Sequence, residues 1–253
     1  MDYNGTLNVE LELHRSIVMH TLAAKFFQVR QFWFFEFTAG FLTMLSSILA
    51  FIATTELVVQ RDQIVLTTVV GATTVVVGFL QALNSNLGYG TRAVMHQSVA
   101  IDLRDLRNHL RMIRCQLGFA EQHGLQGVFR FENDEEEEFT EGTFESIRDK
   151  FEQSLNGCKS PLPIEISEAF SGIESSMHTT GVQSTMELFI RLYGPKFHWQ
   201  FLFFKYLDIA SELITDHRYF PFFLPRSSSV IKKAKVLIKQ EFKEGREFYS
   251  ESP

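Results

Sequence analysis

The stretch "IVLTTVVGATTVVVGFLQAL" (64–83) decides the fold of this chain. Val, Ile and Thr dominate it, and by composition alone they favour a buried β-strand. The stretch also runs for twenty residues without a charge, about the length of a helix that crosses a bilayer. An isolated strand would leave its backbone groups unpaired in lipid, whereas a helix pairs them internally. We therefore predict a transmembrane helix over 64–83.

A second uncharged run, "FTAGFLTMLSSILAFIATT" (37–55), precedes it. Nineteen helical residues span roughly 28 Å, close to the ~30 Å hydrocarbon core of a bilayer. Eight residues separate the two runs, enough for a tight polar turn. The pair therefore predicts a helical hairpin with spans at 37–55 and 64–83.

The stretch after the second span (84–118) has no proline and is periodic. Apolar residues recur there at steps of three or four: Met95, Val99, Leu103, Leu106, Leu110, Ile113 and Leu117. Such a seam is typical of a coiled coil, and it predicts that the second span continues into a long cytosolic helix. The spacing leaves open whether the seam packs on the chain's own helices or on another subunit.

The predicted fold class is an all-α membrane protein with a helical C-terminal region. Its parts are an N-terminal amphipathic helix (1–36), the transmembrane hairpin (37–83), a long cytosolic helix (84–118), an acidic linker (119–142) containing "ENDEEEE", and a helical region (143–253) with a basic terminal helix. A like-charged block of this kind is typical of a solvated linker.

Small residues form one stripe on each predicted span. The stripes are Ala39, Thr43, Ser47 and Ala50 on the first span, and Thr67, Gly71, Thr74 and Gly78 on the second. Membrane helices associate through close backbone approach and Ser/Thr hydrogen bonds along such stripes. Either the stripes pack the two helices of one hairpin together, or one of them meets a neighbouring subunit or lines a pore. The predicted packing and oligomerisation residues are these eight with Leu103, Leu106, Leu110 and Ile113.

Three segments have the composition of a membrane interface. Arg30 and Trp33 lie in "RQFWFFEF", where an aromatic belt would precede the first span. Phe222 and Phe223 lie in "RYFPFFLPR" (218–226), which would either dip into the headgroups or fill a core. The last helix carries four lysines that would face an anionic leaflet or solvent: Lys232, Lys233, Lys235 and Lys239.

Basic residues flank the hairpin on the same side. Arg15, Lys25 and Arg30 precede the first span, and Arg92 and Arg104 follow the second, against a single Arg61 in the turn. The positive-inside rule therefore predicts a two-span integral membrane protein with both termini in the cytosol.

Composition and motifs point away from catalysis. The net charge of −6 gives no reason to expect nucleic acid as a partner, and two cysteines cannot form a disulfide framework. The sequence has no phosphate-binding glycine loop, HExxH, GxSxG or CxxC. We therefore expect no enzyme activity, cofactor, metal or small-molecule substrate. His14, His20 and His96 are expected on helix surfaces near the membrane.

The N-terminal half resembles the SLATT domains, two-transmembrane modules associated with nucleotide-sensing systems. The resemblance rests on the helix "LHRSIVMHTLAAKFFQVRQFW", the short hairpin, and "LQALNSNLGYGTRAVMHQSVAIDLRDLRNHL" after it. Matching positions are Leu80, Gln81, His96, Asp102 and Leu103, within roughly 10–118. The resemblance implies a membrane assembly or pore that acts as an effector. The long C-terminal extension departs from the simplest members.

Two functions are therefore expected as alternatives. One is a non-enzymatic membrane protein that oligomerises through its hairpin and long helix, as the SLATT resemblance implies. The other is a structural or accessory subunit of a larger membrane assembly, which the aromatic-rich C-terminal half favours. The expected partners are the lipid bilayer and either further copies of the chain or unlike subunits.

Overall fold

The computed structural model describes residues 3–54, 60–123, 141–179 and 199–250. Every secondary-structure element in these ranges is helical, which confirms the all-α prediction. The last residue of the first predicted span and the first four residues after it (55–59 together), and most of the predicted acidic linker (124–140), lie outside the described residues.

The helices follow one another with short connections where these are described. The α-helices are α1 (Tyr3–Gln31), α2 (Thr38–Ala53), α3 (Gln60–Leu87), α4 (Tyr89–His123), α5 (Glu141–Gly157), α6 (Ile164–Thr179), α7 (Trp199–Thr215) and α8 (Ser227–Ser250). A π-helical segment, Phe32–Phe37, joins α1 to α2. The contacts divide the chain into two compact units, Ala24–Val94, and Met1–Ala23 with Met95–Pro253.

In the unit Ala24–Val94, α2 and α3 pack against each other in antiparallel directions. Near one end the side-chain amide of Gln63 donates to the carbonyl oxygen of Ala53 over 3.0 Å, and further along Ser46 meets Thr73. The residue numbers of the two pairs change in opposite directions, as in an antiparallel pair. Two long helical stretches, Thr6–Ala53 and Asp62–Ile113, contain segments apolar enough to cross a membrane, judged by length and composition.

Gly88 interrupts the helix between α3 and α4. Its φ of +58° lies in the left-handed region, which residues with a Cβ adopt at a cost. Its N–H still donates to the Asn84 carbonyl over 3.0 Å, and its carbonyl accepts from the Arg92 N–H over 2.9 Å. The predicted continuous helix is therefore two helices separated by one residue.

The second unit is built on α4. Its buried apolar residues form one core with two residues of α1 and one of α5: Leu13, Ile17, Val99, Leu103, Leu106, Leu110, Ile113 and Ile147. The part of the apolar seam of α4 from Val99 to Ile113 thus packs on the chain's own helices. Leu103, Leu106, Leu110 and Ile113 have 8% or less of their surface exposed.

Helix α8 packs against both α6 and α7 and completes this unit. Val230, Ile231, Ala234 and Ile238 are buried on one side of α8, as its amphipathic pattern predicts. At its first residue, the Ser227 hydroxyl donates to the carbonyl oxygen of Ala169 over 3.2 Å. A Cβ on Gly172 would lie 2.5 Å from that hydroxyl oxygen and 3.0 Å from the Ser227 Cβ, so a larger residue there would force Ser227 to move.

Candidate functional site

The outer surface of the α2–α3 hairpin is made of large apolar side chains. Phe51 is 71% exposed and Val75 73% exposed, and the other residues of this surface are also large, apolar and exposed. Further members are Phe41, Met44, Ile48, Ile64, Val65, Val76 and Phe79. The most apolar 18-residue window of the first stretch is 11% buried and that of the second is 0% buried. An apolar helix that is buried so little is not filling the core of its own chain.

The interior of the hairpin is lined by smaller groups. Ser46 and Ala53 are buried on α2, and the hydroxyl groups of Ser46 and Thr73 form a hydrogen bond between the two helices. Half-buried residues of α3 recur at steps of three or four beside this contact: Leu66, Val70, Thr73, Val77 and Leu80. These residues, with Leu42, Ser46, Leu49 and Ala53 of α2, define the hairpin seam.

The predicted small-residue stripes lie largely outside this seam. Thr43, Ser47, Thr67, Gly71, Thr74 and Gly78 are exposed, whereas Ala39 and Ala50 are half-buried. A Cβ added at Gly71 or Gly78 would meet no atom within 4 Å. The hydroxyls of Thr43 and Ser47 turn back to carbonyls of their own helix, those of Ala39 and Thr43. The stripe of α3 is therefore on the open face of the hairpin.

The predicted interface residues are mostly exposed. Trp33 is about half exposed, and the Arg30 guanidinium lies 3.9 Å from the centre of the Phe26 ring, a cation–π contact. Phe223 is 70% exposed and Phe222 41%. Lys232 and Lys233 are exposed and Lys235 is half-buried, whereas the side chain of Lys239 lies outside the described residues.

In the second unit, α1 and α4 meet through a ladder of polar pairs. Moving along α1, Glu10 meets Arg111 and His14 meets Arg107. His20 then meets His96 with a distance of 3.0 Å between their Nδ1 atoms. Because a later residue of α1 always meets an earlier residue of α4, the two helices are antiparallel. We call these three pairs the polar ladder.

The three histidines on this ladder correct the sequence-based prediction. His14, His20 and His96 were expected on helix surfaces, but they have 6%, 5% and 0% of their surface exposed. They lie on the faces through which α1 and α4 pack, where the surrounding apolar residues exclude solvent. The sequence did not reveal their burial, because the residue type is the same whether a histidine contacts water or is buried against a second helix.

A wide cavity of about 740 Å³ opens beside the middle pair of the ladder. Its charged and titratable lining is His14, Arg104, Arg107, Lys205, Asp208 and Glu212. A guanidinium only donates hydrogen bonds, so Nδ1 of His14 accepts from Arg107 and the ring proton lies on Nε2. That Nε2 is 2.9 Å from Oδ1 of Asp208. Burial first, and then Arg111, lowers the pKa of Arg107.

At the end of the ladder a thiol joins the histidine pair. Cys158, in the connection from α5 to α6, has its Sγ atom 3.7 Å from His96 Nδ1. One ligand atom from each of His20, His96 and Cys158 lies within 4.8 Å of the others. Burial, with a smaller contribution from His96, lowers the pKa of His20 from 6.5 to about 4. The His20 ring is therefore neutral at pH 7 and has a nitrogen lone pair.

Comparison with known proteins gives no relative for this chain. No protein-family model matches it, and neither a curated protein nor a solved structure is significantly similar to it. The hairpin, the polar ladder and the His20–His96–Cys158 cluster must therefore be interpreted from their own chemistry.

Proposed function

We propose that the chain is a non-enzymatic integral membrane protein whose α2–α3 hairpin spans the bilayer. One observation carries this proposal: large apolar side chains cover the outside of the hairpin, while the Ser46–Thr73 hydrogen bond is enclosed between its helices. In water this surface would far exceed the apolar patches that soluble monomers expose. In lipid, where apolar side chains need no burial in protein, the same arrangement is favourable.

The basic flanks of the hairpin set the proposed orientation. The flanking sequences hold more Lys and Arg than the short turn between the spans, so the positive-inside rule places both termini in the cytosol. The second unit would then lie on the cytosolic side of the membrane. Lys232 and Lys233 of α8 are exposed there and would be available to anionic headgroups.

We further propose that several hairpins associate through the outer stripe of α3. Gly71 and Gly78 lie on the open face with no atom close to where a Cβ would be. Small residues on a lipid-facing helix let a second backbone approach closely, which is how helices associate in membranes. The resemblance to SLATT domains, which implies membrane assemblies or pores, supports the same proposal. The seam of α4 has no part in it, because the chain's own core occupies that face.

Orientation is tested with a membrane-impermeant maleimide on sealed vesicles of known sidedness. Cys115 is exposed on α4 and should react only from the cytosolic side. In the C115S background, a cysteine introduced at the exposed Asp62, at the start of α3, should react only from the opposite side. C115S alone measures any reaction of Cys158. Labelling of both positions from the same side, or release of the protein by carbonate washing, would overturn the two-span proposal.

Assembly is tested by native mass spectrometry of the protein extracted in mild detergent. We expect homo-oligomers for the wild type, and loss of these oligomers for G71L/G78L, which fills the open stripe. V75L, a matched change on the large-residue surface, should leave the oligomers intact. Dye leakage from reconstituted vesicles then reports whether a pore forms. A monomeric wild type that leaves vesicles sealed would contradict the proposed association of hairpins.

A second candidate function is an accessory subunit of a larger membrane assembly. The observation that favours it is the exposed aromatic loop before α8, where Tyr219 is 54% and Phe223 70% exposed. The same mass measurement, made on protein from its native membrane, separates the candidates. Unlike subunits in fixed stoichiometry, lost in F223S, would support an accessory role.

A further inference from the structure

The cluster His20–His96–Cys158 has the donor set of a transition-metal site. It combines two imidazole nitrogens and one sulfur, with no carboxylate among the three residues. Imidazole and thiolate together suit Zn²⁺, whereas Mg²⁺ and Ca²⁺ take oxygen ligands. Both histidines are more than nine-tenths buried, and Cys158 is half-buried.

Two of the three separations between the ligand atoms fit a tetrahedral ion. With Zn–N bonds of about 2.05 Å and a Zn–S bond of about 2.3 Å, ligand atoms of a tetrahedral site lie about 3.3 Å (N to N) and about 3.6 Å (N to S) apart. The structure has 3.0 Å between the two Nδ1 atoms and 3.7 Å between Sγ and His96 Nδ1. These two separations lie within a few tenths of an ångström of the expected values, and the third, between the ligand atoms of His20 and Cys158, is at most 4.8 Å.

The three ligands come from separate parts of the second unit. His20 lies on α1, His96 on α4, and Cys158 directly after α5. They are held by packing that does not depend on the ligands themselves, because Ile17, Val99 and Ile147 belong to the same apolar core. The site is thus preorganised by three helices.

We propose that His20, His96 and Cys158 bind one Zn²⁺ ion. Binding exchanges the thiol proton for a Zn–S bond, so the Cys158 thiol releases one H⁺ and the neutral imidazoles each donate a lone pair. Three protein ligands leave the fourth tetrahedral position to a water molecule. The ion would fasten α1, α4 and the α5–α6 connection to one another. This proposal is independent of whether the hairpin forms a pore.

The alternative to a metal site is that the three side chains are held by hydrogen bonds alone. The His20 and His96 nitrogens can share one proton in a hydrogen bond, and the Cys158 thiol donates to the Ser160 carbonyl oxygen over 3.3 Å. These contacts link the three side chains to protein groups without an ion, so the experiment must separate them from a bound metal.

The test uses the full-length protein in mild detergent, dialysed against a chelator and then titrated with Zn²⁺ or with Co²⁺ as a coloured substitute. We expect one ion per chain, and for Co²⁺ a thiolate charge-transfer absorption with tetrahedral d–d bands. C158S should remove the charge-transfer absorption, and H96N should weaken Zn²⁺ binding by more than about 100-fold, because even outer-shell changes cost 10–100-fold. C115S and H109Q, at exposed cysteine and histidine positions on α4, are matched controls and should bind normally.

A variant with a carboxylate in place of the thiolate distinguishes loss of the sulfur ligand from misfolding. C158D should retain one Co²⁺ ion with d–d bands but without the thiolate absorption. The proposal is overturned if the wild type takes up no stoichiometric Zn²⁺. It is equally overturned if C158S keeps the thiolate absorption, or if C115S loses it.

Discussion

Arg111 donates a hydrogen bond from Nε to the carboxylate of Glu10, a side chain with no exposed surface, across 101 residues of sequence. Arg111 itself is 45% exposed. The pair therefore joins a fully buried charge on α1 to a cation on α4 that reaches solvent. Removing the cation would leave the Glu10 carboxylate buried without this partner.

We expect R111M to destabilise the second unit by about 1–3 kcal/mol, because the buried Glu10 carboxylate loses a hydrogen bond from a charged donor. The double variant E10Q/R111M should recover part of this loss, since the buried charge is gone. Thermal unfolding followed by circular dichroism in mild detergent measures both. R148M, which breaks the exposed pair of Arg148 with Glu152, should cost less than about 1 kcal/mol. Equal losses for R111M and R148M would contradict the assignment.

The hydroxyl pair inside the hairpin is the second test. Replacing Ser46 and Thr73 singly and together gives a double-mutant cycle, and we expect a coupling of about 0.6 kcal/mol, the average for hydrogen bonds between membrane helices. Unfolding in mixed micelles measures it. The S47A change removes a hydroxyl bonded within its own helix and should show no coupling to Thr73. A coupling for S47A/T73A as large as for S46A/T73A would place the seam elsewhere.

Gly88 and Gly78 should respond oppositely to alanine. At Gly88 the φ of +58° makes G88A unfavourable by about 1–2 kcal/mol. At Gly78 the helix is regular and the Cβ position is open, so G78A should favour the helix by up to about 1 kcal/mol in a monomer. Thermal unfolding of the two variants compares them directly. G88N should be milder than G88A, because asparagine tolerates the left-handed region.

The approach of α8 to α6 gives the fourth prediction. G172A places a methyl group 2.5 Å from the Ser227 hydroxyl oxygen and should cost about 1–3 kcal/mol, as overpacking does. Ser227→Gly removes the obstructing atoms, so the double variant G172A/S227G should be more stable than G172A. The comparison again uses thermal unfolding. If the second change gives no recovery, the contact with Ser227 does not account for the glycine.

Periodicity was sufficient to predict the helices and the buried face of α4. Length and the absence of charge outweighed the strand propensity of Val, Ile and Thr in 64–83, and that segment is helical. It was harder to predict which faces of α2 and α3 point toward each other. Neighbouring residues on these helices are often of the same type, so two adjacent faces have similar compositions. Ser46 and Thr73 face inward while Ser47 and Thr74 face outward.

The His20–His96–Cys158 cluster could not be predicted from spacing. His20 and His96 are 76 residues apart, and Cys158 is 62 residues beyond His96. Metal motifs are recognised when the ligands lie close in sequence, whereas here helix packing brings them together. The only sequence signal was that His14 and His20 interrupt the apolar face of α1.

The position of the aromatic segment Phe32–Phe37 also indicates how thick a bilayer the proposed first span would match. Phe32, Trp33, Phe34 and Phe37 are each about half exposed and project in several directions around the helix. If such a collar lies at the headgroups, the apolar length below it is that of α2, 16 residues or about 24 Å. That is roughly 6 Å less than an average hydrocarbon core. Counted below this collar, the proposed first span is about 4 Å shorter than the 37–55 run, because three fewer residues lie in the hydrocarbon. It therefore matches a thin membrane, and a thicker one would have to thin locally around it.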